Sequence, residues 1–398
     1  MVTTEQRTVE ATPEEVRRRV DRLLTEFGEA DDKTFYGAQF DLGLARIDFP
    51  PGHGGLGGEP KLQEIVDTAL EPIGRRGNWM RNAIGIGMCG PTIAARGTEE
   101  QKSRFLRPIF TAEEVWCQLF SEPGAGSDVA GLSTRAERDG DQWVINGQKV
   151  WTSGAQNSKW GLLLARTDRD APKHKGLTMF IVDMHGPGVE IRPLRQMSGG
   201  AHFNEVYFTD ARTPDDLRVG EPGQGWSVAN ATLMNERVSI GGNVAPRGSG
   251  AIGRAVEVWK ARPDHEPVLR DRLAGLWIEA EVLRLGNMRA QSLRQAGVPG
   301  PQGSLLKLGD AELGQRIVNF IVDLLGAHGM LSPGYEVGRD RDIERNDPII
   351  AFLSSQATTI AGGTSQIMRN IIGERVLGLP REPGLDPNTP WSQIPRNT

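Results

Sequence analysis

Cysteine is scarce in this chain of 398 residues, and its scarcity excludes several kinds of site. Cys89 and Cys117 form no CxxC pair, so the sequence predicts neither a disulfide framework nor a thiolate zinc site. The six histidines show no HxxxH or HxxEH spacing, so we expect no metal site. Two lone thiols that pack as small hydrophobes are typical of a reducing cytoplasm, where we expect the protein to be located.

Long apolar runs and an excess of one charge are also missing. The formal net charge of -5 argues against a nucleic-acid binder that is held by general basicity. No window approaches the uninterrupted apolar run that a membrane span needs. The N-terminus is polar and acidic, which is typical of neither a secretory signal nor an organelle transit peptide. We therefore expect no nucleic-acid partner, no membrane span and no export.

Several common catalytic and nucleotide-binding motifs are absent. The sequence contains no GxSxG elbow and no GxxxxGK[ST] loop. The segment Gly54–Gly58 is rich in glycine, but it follows no predicted strand and opens no βαβ unit, so it is not a dinucleotide-binding fingerprint. A redox cofactor, where one is bound, must therefore be held by a fold other than the usual dinucleotide-binding one.

The hydrophobic pattern changes twice along the chain, which predicts an α+β protein of three domains. The pattern of the first region predicts helices, with helix-start signals at Thr12-Pro13-Glu14-Glu15 and Thr98-Glu99-Glu100-Gln101. In the second region, compact apolar runs and alternating segments predict an antiparallel β domain. One of its strands, Trp143–Gly147, is predicted to end at an Asn-Gly hairpin turn. The predicted domains are 1–114, 115–220 and 221–398.

The third region has no strand signals and consists of long amphipathic stretches separated by Pro/Gly segments. Four long helices with short connections predict an antiparallel four-helix bundle. The tail after Leu379 is rich in Pro, Asn and Asp, and we expect it to wrap the surface or to be loose. The predicted helical stretches run over about 226–262, 267–296, 304–329 and 345–377.

Three segments combine residue types that can hold a flat or phosphorylated ligand. The segment Gln118–Asp128 contains a Gly-Ala-Gly-Ser turn, whose small residues let backbone amides approach a polar ring or a phosphate. In Lys149–Gly154 a bulky aromatic residue precedes a hydroxyl, and Gly362–Gln366 leads directly into a helical sequence. Each segment alone is more often an ordinary turn or core element than a binding site. Their combination therefore carries the functional prediction.

In order and spacing, these segments resemble the motifs of the acyl-CoA dehydrogenase family, and the resemblance covers nearly the whole chain. The family's architecture is also the one predicted above: an N-terminal helical domain, a central antiparallel β domain and a C-terminal four-helix bundle. The resemblance implies an FAD-dependent dehydrogenation of an acyl-CoA thioester. The matching segments are Gly97–Lys102 with Pro108, Ser121–Asp128, Lys149–Gly154, Gly199–Val206 and Gly362–Gln366.

The resemblance assigns a set of residues to the cofactor FAD. It implies that Ser121 bonds the flavin ring, that Trp151 covers the flavin face away from substrate, and that Ser153 donates to N5, the atom that receives hydride. Gly126 and Ser127 line the flavin phosphates and the acyl-CoA. The full set is Gln118, Ser121, Gly126, Ser127, Trp151, Ser153, Thr364 and Gln366.

The catalytic base departs from the commonest family pattern. Many members carry a glutamate just before the Gly-Thr of the C-terminal motif, where this chain has Gly362. The family's second location, seen in isovaleryl- and long-chain-type enzymes, is on the first bundle helix before an arginine, and it matches Glu236 and Arg237. The resemblance therefore implies Glu236 as the base, with Arg237, Gly362 and Gly363 beside the substrate together with Ser127. The missing side chain at Gly362 suggests room for a branched or bulky acyl group.

Two further departures concern the adenosine half of FAD. The stretch Val256–Arg262 keeps no Arg-x-Phe-Gly, and Asp323 stands where the family's Gln-x-x-Gly-Gly-x-Gly segment begins with glutamine. A carboxylate beside a pyrophosphate would be repulsive, so we expect this half of FAD to be held differently or by a different partner chain.

Three activities remain compatible with the sequence. The first is a catalytic dehydrogenase that passes electrons to an electron-transferring flavoprotein, as the resemblance implies. The second is a weakly active or scaffold subunit of a heteromeric enzyme, and the third is a flavin oxidase or monooxygenase on the same fold. Retention of Glu236 favours the first over the third. We expect a dimer or tetramer, either of this chain alone or with a related chain, and the thioester carrier can be CoA or a carrier protein.

Overall fold

The computed structural model describes residues 11–75, 77–240, 244–295, 300, 302–331, 347–381 and 383–395, and only the backbone of 235–240, 294–295 and 302. Two compact units make up the chain. The first comprises residues 1–192, 203–236 and 386–398, and the second comprises 193–202 and 237–385.

The first unit begins with a set of helices whose ends follow the predicted caps. The Thr12 side chain accepts a hydrogen bond from the Glu15 amide, at 3.2 Å, and so begins the first helix. Thr98 and Gln101 form both halves of a capping box at the start of the last one. The helices are α1 (Pro13–Phe27), α2 (Asp32–Asp41), α3 (Gln63–Leu70), α4 (Trp79–Ile84), α5 (Gly90–Arg96) and α6 (Glu99–Phe110).

A mainly antiparallel sheet follows the helices and confirms the predicted β domain. The strand order is β6-β7-β3-β2-β4-β5-β8, with β1 beside β4. β4 pairs in parallel with both β1 and β2, and the other pairings are antiparallel. The strands are β1 (Trp116–Leu119), β2 (Arg135–Asp139), β3 (Gln142–Ser153), β4 (Trp160–Arg166), β5 (Leu177–Asp183), β6 (Val189–Leu194), β7 (Phe203–Pro214) and β8 (Arg218–Val219).

The predicted hairpin turn at Asn146-Gly147 is wrong, because β3 continues through both residues. Gly147 has a φ of 150° and lies where the register of β3 against β7 shifts. A Cβ added at Gly147 would stand 2.5 Å from Thr134 Oγ1. Glycine is therefore needed here for a β-bulge and for the close approach of the backbone to Thr134, and not for a turn. The chain reverses before β3, at Gly140 with a φ of 65°.

Replacing Gly147 with alanine is expected to lower the free energy of unfolding by about 2 kcal/mol or more, because the methyl group would overlap Thr134 in a packed sheet. Gly140→Ala is the matched control, since its φ is also positive but no atom lies within 4 Å of the added Cβ. The control should cost about 1 kcal/mol. Urea titration of both variants measures the difference, and equal losses would contradict the close-approach explanation.

Helices also follow the sheet, and two predicted helical stretches are interrupted. Residues 244–249 separate α7 from α8, and residues 356–364 separate α11 from α12. Left-handed glycines lie in both interruptions, among them Gly248 at φ 70° and Gly362 at φ 63°. The helices are α7 (Gly225–Ile240), α8 (Gly250–Ala261), α9 (Pro267–Gln295), α10 (Gln302–Leu325), α11 (Pro348–Ser355) and α12 (Ser365–Arg375).

Apolar side chains from α8, α9 and α10 form the core of the second unit. Ile252, Leu276 and Phe320 are buried there, with Ile317 and Leu324 from the same face of α10. Their spacing along α10, at positions 317, 320 and 324, is that of one helical face. This packing gives α8, α9 and α10 a common core.

Candidate active site

The most unusual residue of the β domain is Trp151, near the end of β3. Its φ of 61° lies in the left-handed region, where a bulky side chain is rare and costs of order 1–3 kcal/mol. The pairing of β3 with β7 shifts register between Lys149 and Thr152, which turns the indole outwards. The ring is 60% exposed and touches Phe203 edge-on at 6.0 Å. The fold therefore leaves a large aromatic face exposed.

A buried ion pair connects Trp151's strand to the glycine-rich turn. Lys149 is fully buried, and its Nζ donates to the Phe120 carbonyl and to Glu122 Oε1, each at 2.9 Å. The Val150 amide donates to the Ser121 carbonyl, also at 2.9 Å. Two of the segments singled out in the sequence are thereby joined within the first unit.

Glu122 completes this connection by accepting hydrogen bonds from the chain that follows. Its carboxylate accepts from the amides of Ser133, at 2.6 Å, and Thr134, at 2.9 Å. Burial would raise the pKa of Glu122, but the Lys149 charge and the accepted hydrogen bonds outweigh it and hold the pKa below its usual value.

Sequence reasoning missed both Glu122 and Lys149 as functional positions. The signal that could have found Lys149 is strand alternation, because Trp143, Ile145 and Lys149 share the inward side of β3. A lysine at an inward position needs a buried anion, and Glu122 supplies it.

The glycine-rich turn leaves open space beside exposed backbone. Glu122 and Ala125 exchange two backbone hydrogen bonds of 3.0 Å, which closes a tight turn. No atom lies within 4 Å of a Cβ added at Gly124 or Gly126, and Ser127 is exposed next to them. Backbone amides in such a turn can approach a phosphate or a polar ring closely.

The residues of the first unit fit an FAD group. An isoalloxazine ring can stack on the exposed face of Trp151, and the hydroxyl of Ser121 lies in the segment bonded to the same strand. Ser153 is half-buried at the end of β3, and Gln118 is half-buried within β1. The open turn at Gly126 leaves room for phosphate oxygens.

The predicted residues of the second unit lie at the start of α12. Thr364 caps this helix, and its Oγ1 accepts from the Ile367 amide at 3.1 Å. Gly363 has a φ of 96°, and its carbonyl accepts from Lys307 Nζ at 2.5 Å. Lys307 also donates to the Thr358 carbonyl, at 3.0 Å, so α10 anchors the turn that carries Gly362. Gln366 is exposed in the first helical turn.

The predicted base lies on α7, whose backbone runs through Glu236 and Arg237. The side chains of these two residues lie outside the described part of the structure. Asp323, whose charge was expected to repel a pyrophosphate, forms an ion pair of 2.9 Å with Arg272 of α9. That carboxylate is therefore compensated within the bundle.

Two other kinds of feature are absent from the described residues. No group of three or more His, Cys, Asp or Glu side chains within these residues could hold a metal ion. Over the same part of the chain, no helix combines the length and the apolar character that crossing a membrane requires.

Three family models match the chain in succession and together cover most of it. They are the acyl-CoA dehydrogenase N-terminal domain over residues 3–113, the middle domain over 117–211 and the C-terminal domain over 223–377. The chain therefore belongs to the acyl-CoA dehydrogenase family, and it is an oxidoreductase. Members of this family are typically FAD-dependent flavoproteins of lipid metabolism.

Individual relatives agree with the family models. The acyl-CoA dehydrogenase IpdE1 of Mycobacterium tuberculosis is 43% identical over 308 residues, which are 76% of each chain. IpdE1 of Mycolicibacterium smegmatis is 38% identical and aligns over 85% of this chain and 86% of its own.

Among solved structures, the ChsE4–ChsE5 complex of Mycobacterium tuberculosis aligns with a TM-score of 0.70 and 28% identity, over 94% of this chain and 100% of the other. The Tcur3481–Tcur3483 steroid ACAD gives a TM-score of 0.70 and 25% identity, over 93% of this chain and 97% of the other.

Proposed function

We propose that this chain binds FAD and dehydrogenates a bulky acyl-CoA thioester to its 2,3-enoyl form. The observation that carries the proposal is Trp151, an exposed aromatic face held in a strained conformation beside the glycine-rich turn. Strain of this kind is typical of functional sites, where the surrounding structure maintains it for a ligand. Membership of the family supplies the reaction class.

In the proposed site each residue has a defined task. Bound FAD supplies the acceptor for the hydride that leaves the beta carbon. Trp151 covers one ring face, while the hydroxyls of Ser121 and Ser153 donate to polar edge atoms of the ring. Gly126 and Ser127 line the phosphates and the thioester, and Gln118, Thr364 and Gln366 hold the cofactor further out. Donors near the ring edge would stabilise the charge that accumulates on reduction.

The proton is removed by Glu236 in this proposal. The C–H bond alpha to a thioester is weakly acidic, so its carbonyl oxygen must be polarised while the proton leaves. The family resemblance implies that a backbone N–H at Gly362 has this role, and Gly362 lies in a turn with a φ of 63°. One such preorganised donor can contribute about 3–4 kcal/mol. Arg237 and Gly363 lie beside these two residues in sequence and complete the proposed substrate site.

The purified chain, alone or with its partner chain, should bind FAD and be yellow. Trp151→Ala should weaken FAD binding, while Trp151→Phe should retain more of it, because phenylalanine keeps an aromatic face. Trp79→Ala is the matched control, since Trp79 is another exposed tryptophan of the first unit. Fluorescence titration measures the three affinities. A chain that takes up no FAD under either condition would overturn the proposal.

A bulky acyl group is proposed because Gly362 places no side chain beside the alpha carbon. A structural relative named as a steroid ACAD supports the same substrate class. Replacing Gly362 with leucine should therefore reduce kcat/KM for branched or polycyclic substrates more than for short straight ones. Gly362→Ala is the control for backbone strain, because a methyl group meets the same left-handed φ of 63° with much less added bulk than leucine. Equal losses for both substrate classes would contradict the pocket argument.

Assembly into a dimer or a dimer of dimers is also proposed, with a second copy or a related chain. Ile278, Val282 and Leu285 lie on one face of α9 and are exposed, at 62%, 61% and 52%. Their spacing of four and three residues makes one apolar stripe, which a monomer would leave in water. The ChsE4–ChsE5 structure is a complex of two chains and supports the heteromeric form. Light scattering that finds a stable FAD-loaded monomer would contradict this assembly.

An electron-transferring flavoprotein is the proposed acceptor of the electrons. Residues on the proposed ring face cannot store them, so an external acceptor must reoxidise the cofactor between turnovers. The alternative is direct reoxidation by oxygen, which would make the chain an oxidase. Comparing turnover with a purified electron-transferring flavoprotein against turnover with dissolved oxygen alone distinguishes the two.

A further inference from the structure

The C-terminal segment folds back onto the β domain, although it follows the last residue matched by the family models, 377. Trp391 is only 3% exposed. Its amide donates to the Ala171 carbonyl at 3.0 Å, and the Ser392 amide donates to the Arg169 carbonyl at 2.9 Å. Pro390, the residue before Trp391, forms a β-bridge with Pro172. The segment is therefore docked on the loop between β4 and β5.

The indole of Trp391 covers a buried cation. The guanidinium carbon of Arg166 lies 4.1 Å from the ring centroid, and Arg166 is 2% exposed. A cation against an aromatic face is held most strongly when water is excluded, as it is here. The indole Nε1 donates to the Gly131 carbonyl at 3.3 Å.

Arg166 in turn binds the chain that follows the glycine-rich turn. It donates to the carbonyls of Ala130, at 2.6 Å, and Leu132, at 3.2 Å. A third bond goes to the Lys173 carbonyl, at 3.2 Å, in the same loop on which the C-terminal segment is docked. Trp391 and Arg166 therefore both bind carbonyls of the short turn at residues 130–132.

This short turn fixes the residues proposed to line the ligand. The Gly131 amide donates to the Asp128 carbonyl at 2.8 Å, and a Cβ at Gly131 would stand 2.7 Å from Asp128 Oδ2. Lys173 Nζ holds the Asp128 carboxylate at 2.7 Å. Asp128 directly follows Gly126 and Ser127, so the position of the turn determines where those two residues stand.

We propose that Trp391 and Arg166 are positioning residues, which hold residues 126–132 in the form that binds the cofactor phosphates and the thioester. This inference rests on the proposed function for the identity of the ligand. Without the indole, the guanidinium would meet water, and its bonds to the carbonyls of the turn would compete with solvent. A mobile turn must then be ordered on binding, which lowers affinity for the ligand.

The test uses full-length protein and the variants Trp391→Ala and Trp391→Phe. Four amides report on the turn, because each donates a hydrogen bond: Gly131 and Leu132 to backbone carbonyls, and Ser133 and Thr134 to Glu122. In Trp391→Ala their hydrogen exchange should rise by about tenfold or more, and Trp391→Phe should recover part of the protection. Trp259→Ala is the matched control, since Trp259 stacks on His265 in the second unit, with centroids 4.1 Å apart.

Ligand binding provides the second readout. Trp391→Ala should raise the dissociation constant for FAD, or the KM for the acyl-CoA thioester, by about tenfold, with kcat at saturation changed by less than about twofold. If Trp391 only filled the core, its replacement would lower global stability but would not raise KM while leaving kcat nearly unchanged.

Each contrary result has a distinct meaning. Unchanged exchange at the four amides, or an equal rise over both units, would overturn the proposal that Trp391 holds the turn. A local rise in exchange with unchanged affinity for both ligands would overturn the positioning role. If the wild-type protein takes up no FAD, alone or with its partner chain, the proposed function is contradicted instead. The hydrogen exchange of the four amides and the affinity for the acyl-CoA thioester would still test the positioning role.

Discussion

Replacing Glu236 with glutamine is expected to slow flavin reduction by an acyl-CoA thioester by about 10²–10⁴-fold, while flavin and thioester binding persist. Glutamine keeps the size and the hydrogen-bonding capacity of the side chain but cannot accept the alpha proton. The expectation rests on the proposal that Glu236 stands at the family's alternative base position and Gly362 at the commoner one. Anaerobic stopped-flow measurement of the flavin absorbance gives the rate directly.

Moving the carboxylate provides the control for this variant. The double change Glu236→Gln with Gly362→Glu transfers the base to the family's commoner location, and it should restore part of the rate with a straight-chain thioester. Partial rescue would support the proposal that a carboxylate at either position can serve as the base. A normal rate of reduction by Glu236→Gln alone would contradict the assignment of the base.

Replacing Lys149 with methionine is expected to lower the free energy of unfolding by about 3–5 kcal/mol, because it leaves the buried Glu122 carboxylate without its cation. The lysine is fully buried and bonds Glu122 at 2.9 Å. The double variant Glu122→Gln with Lys149→Met should be considerably more stable than Lys149→Met alone, since neither charge is then buried. Urea titration measures both losses.

Lys159→Met is the matched control for the buried pair. Lys159 bonds Asp183 at 2.7 Å, but the two side chains are 42% and 38% exposed. An exposed pair of this kind should contribute less than about 1 kcal/mol. Equal losses for Lys149→Met and Lys159→Met would contradict the role assigned to burial.

The same carboxylate predicts how stability depends on pH. The pKa of Glu122 is lower in the folded chain than its ordinary value, so deprotonation favours folding. Its contribution is present above the unfolded pKa and is lost as the pH falls through the folded one. Glu122→Gln should therefore flatten the acid limb of the stability curve. An unchanged acid limb in the variant would contradict this assignment.

The general architecture was predictable because it depends on local signals that repeat along the chain. The cap at Thr98 has the predicted partner, Gln101, since capping involves residues within one helical turn. The change from helical to strand periodicity likewise marked the β domain. The family resemblance rested on five short segments in order, and the family models match the three corresponding regions.

Features that depend on distant contacts were not predictable in this way. Asn146-Gly147 has the composition of a hairpin turn, but contact with Thr134 makes it a bulge inside a longer strand. The left-handed conformation of Trp151 results from the register shift between β3 and β7. Trp391 packs on Arg166, more than two hundred residues away in sequence, and a Pro-rich tail gives no local sign of such a contact.

The measurement that tests the proposed activity most directly is a single anaerobic turnover of the FAD-loaded protein, with its partner chain where one is required. A bulky acyl-CoA thioester is added, the flavin absorbance is followed, and the thioester is analysed by mass spectrometry. We predict that the flavin bleaches in step with the appearance of a 2,3-enoyl thioester that has lost two hydrogens. An FAD-loaded protein that neither bleaches nor forms the enoyl product, with bulky or straight-chain thioesters, would contradict the proposed dehydrogenation.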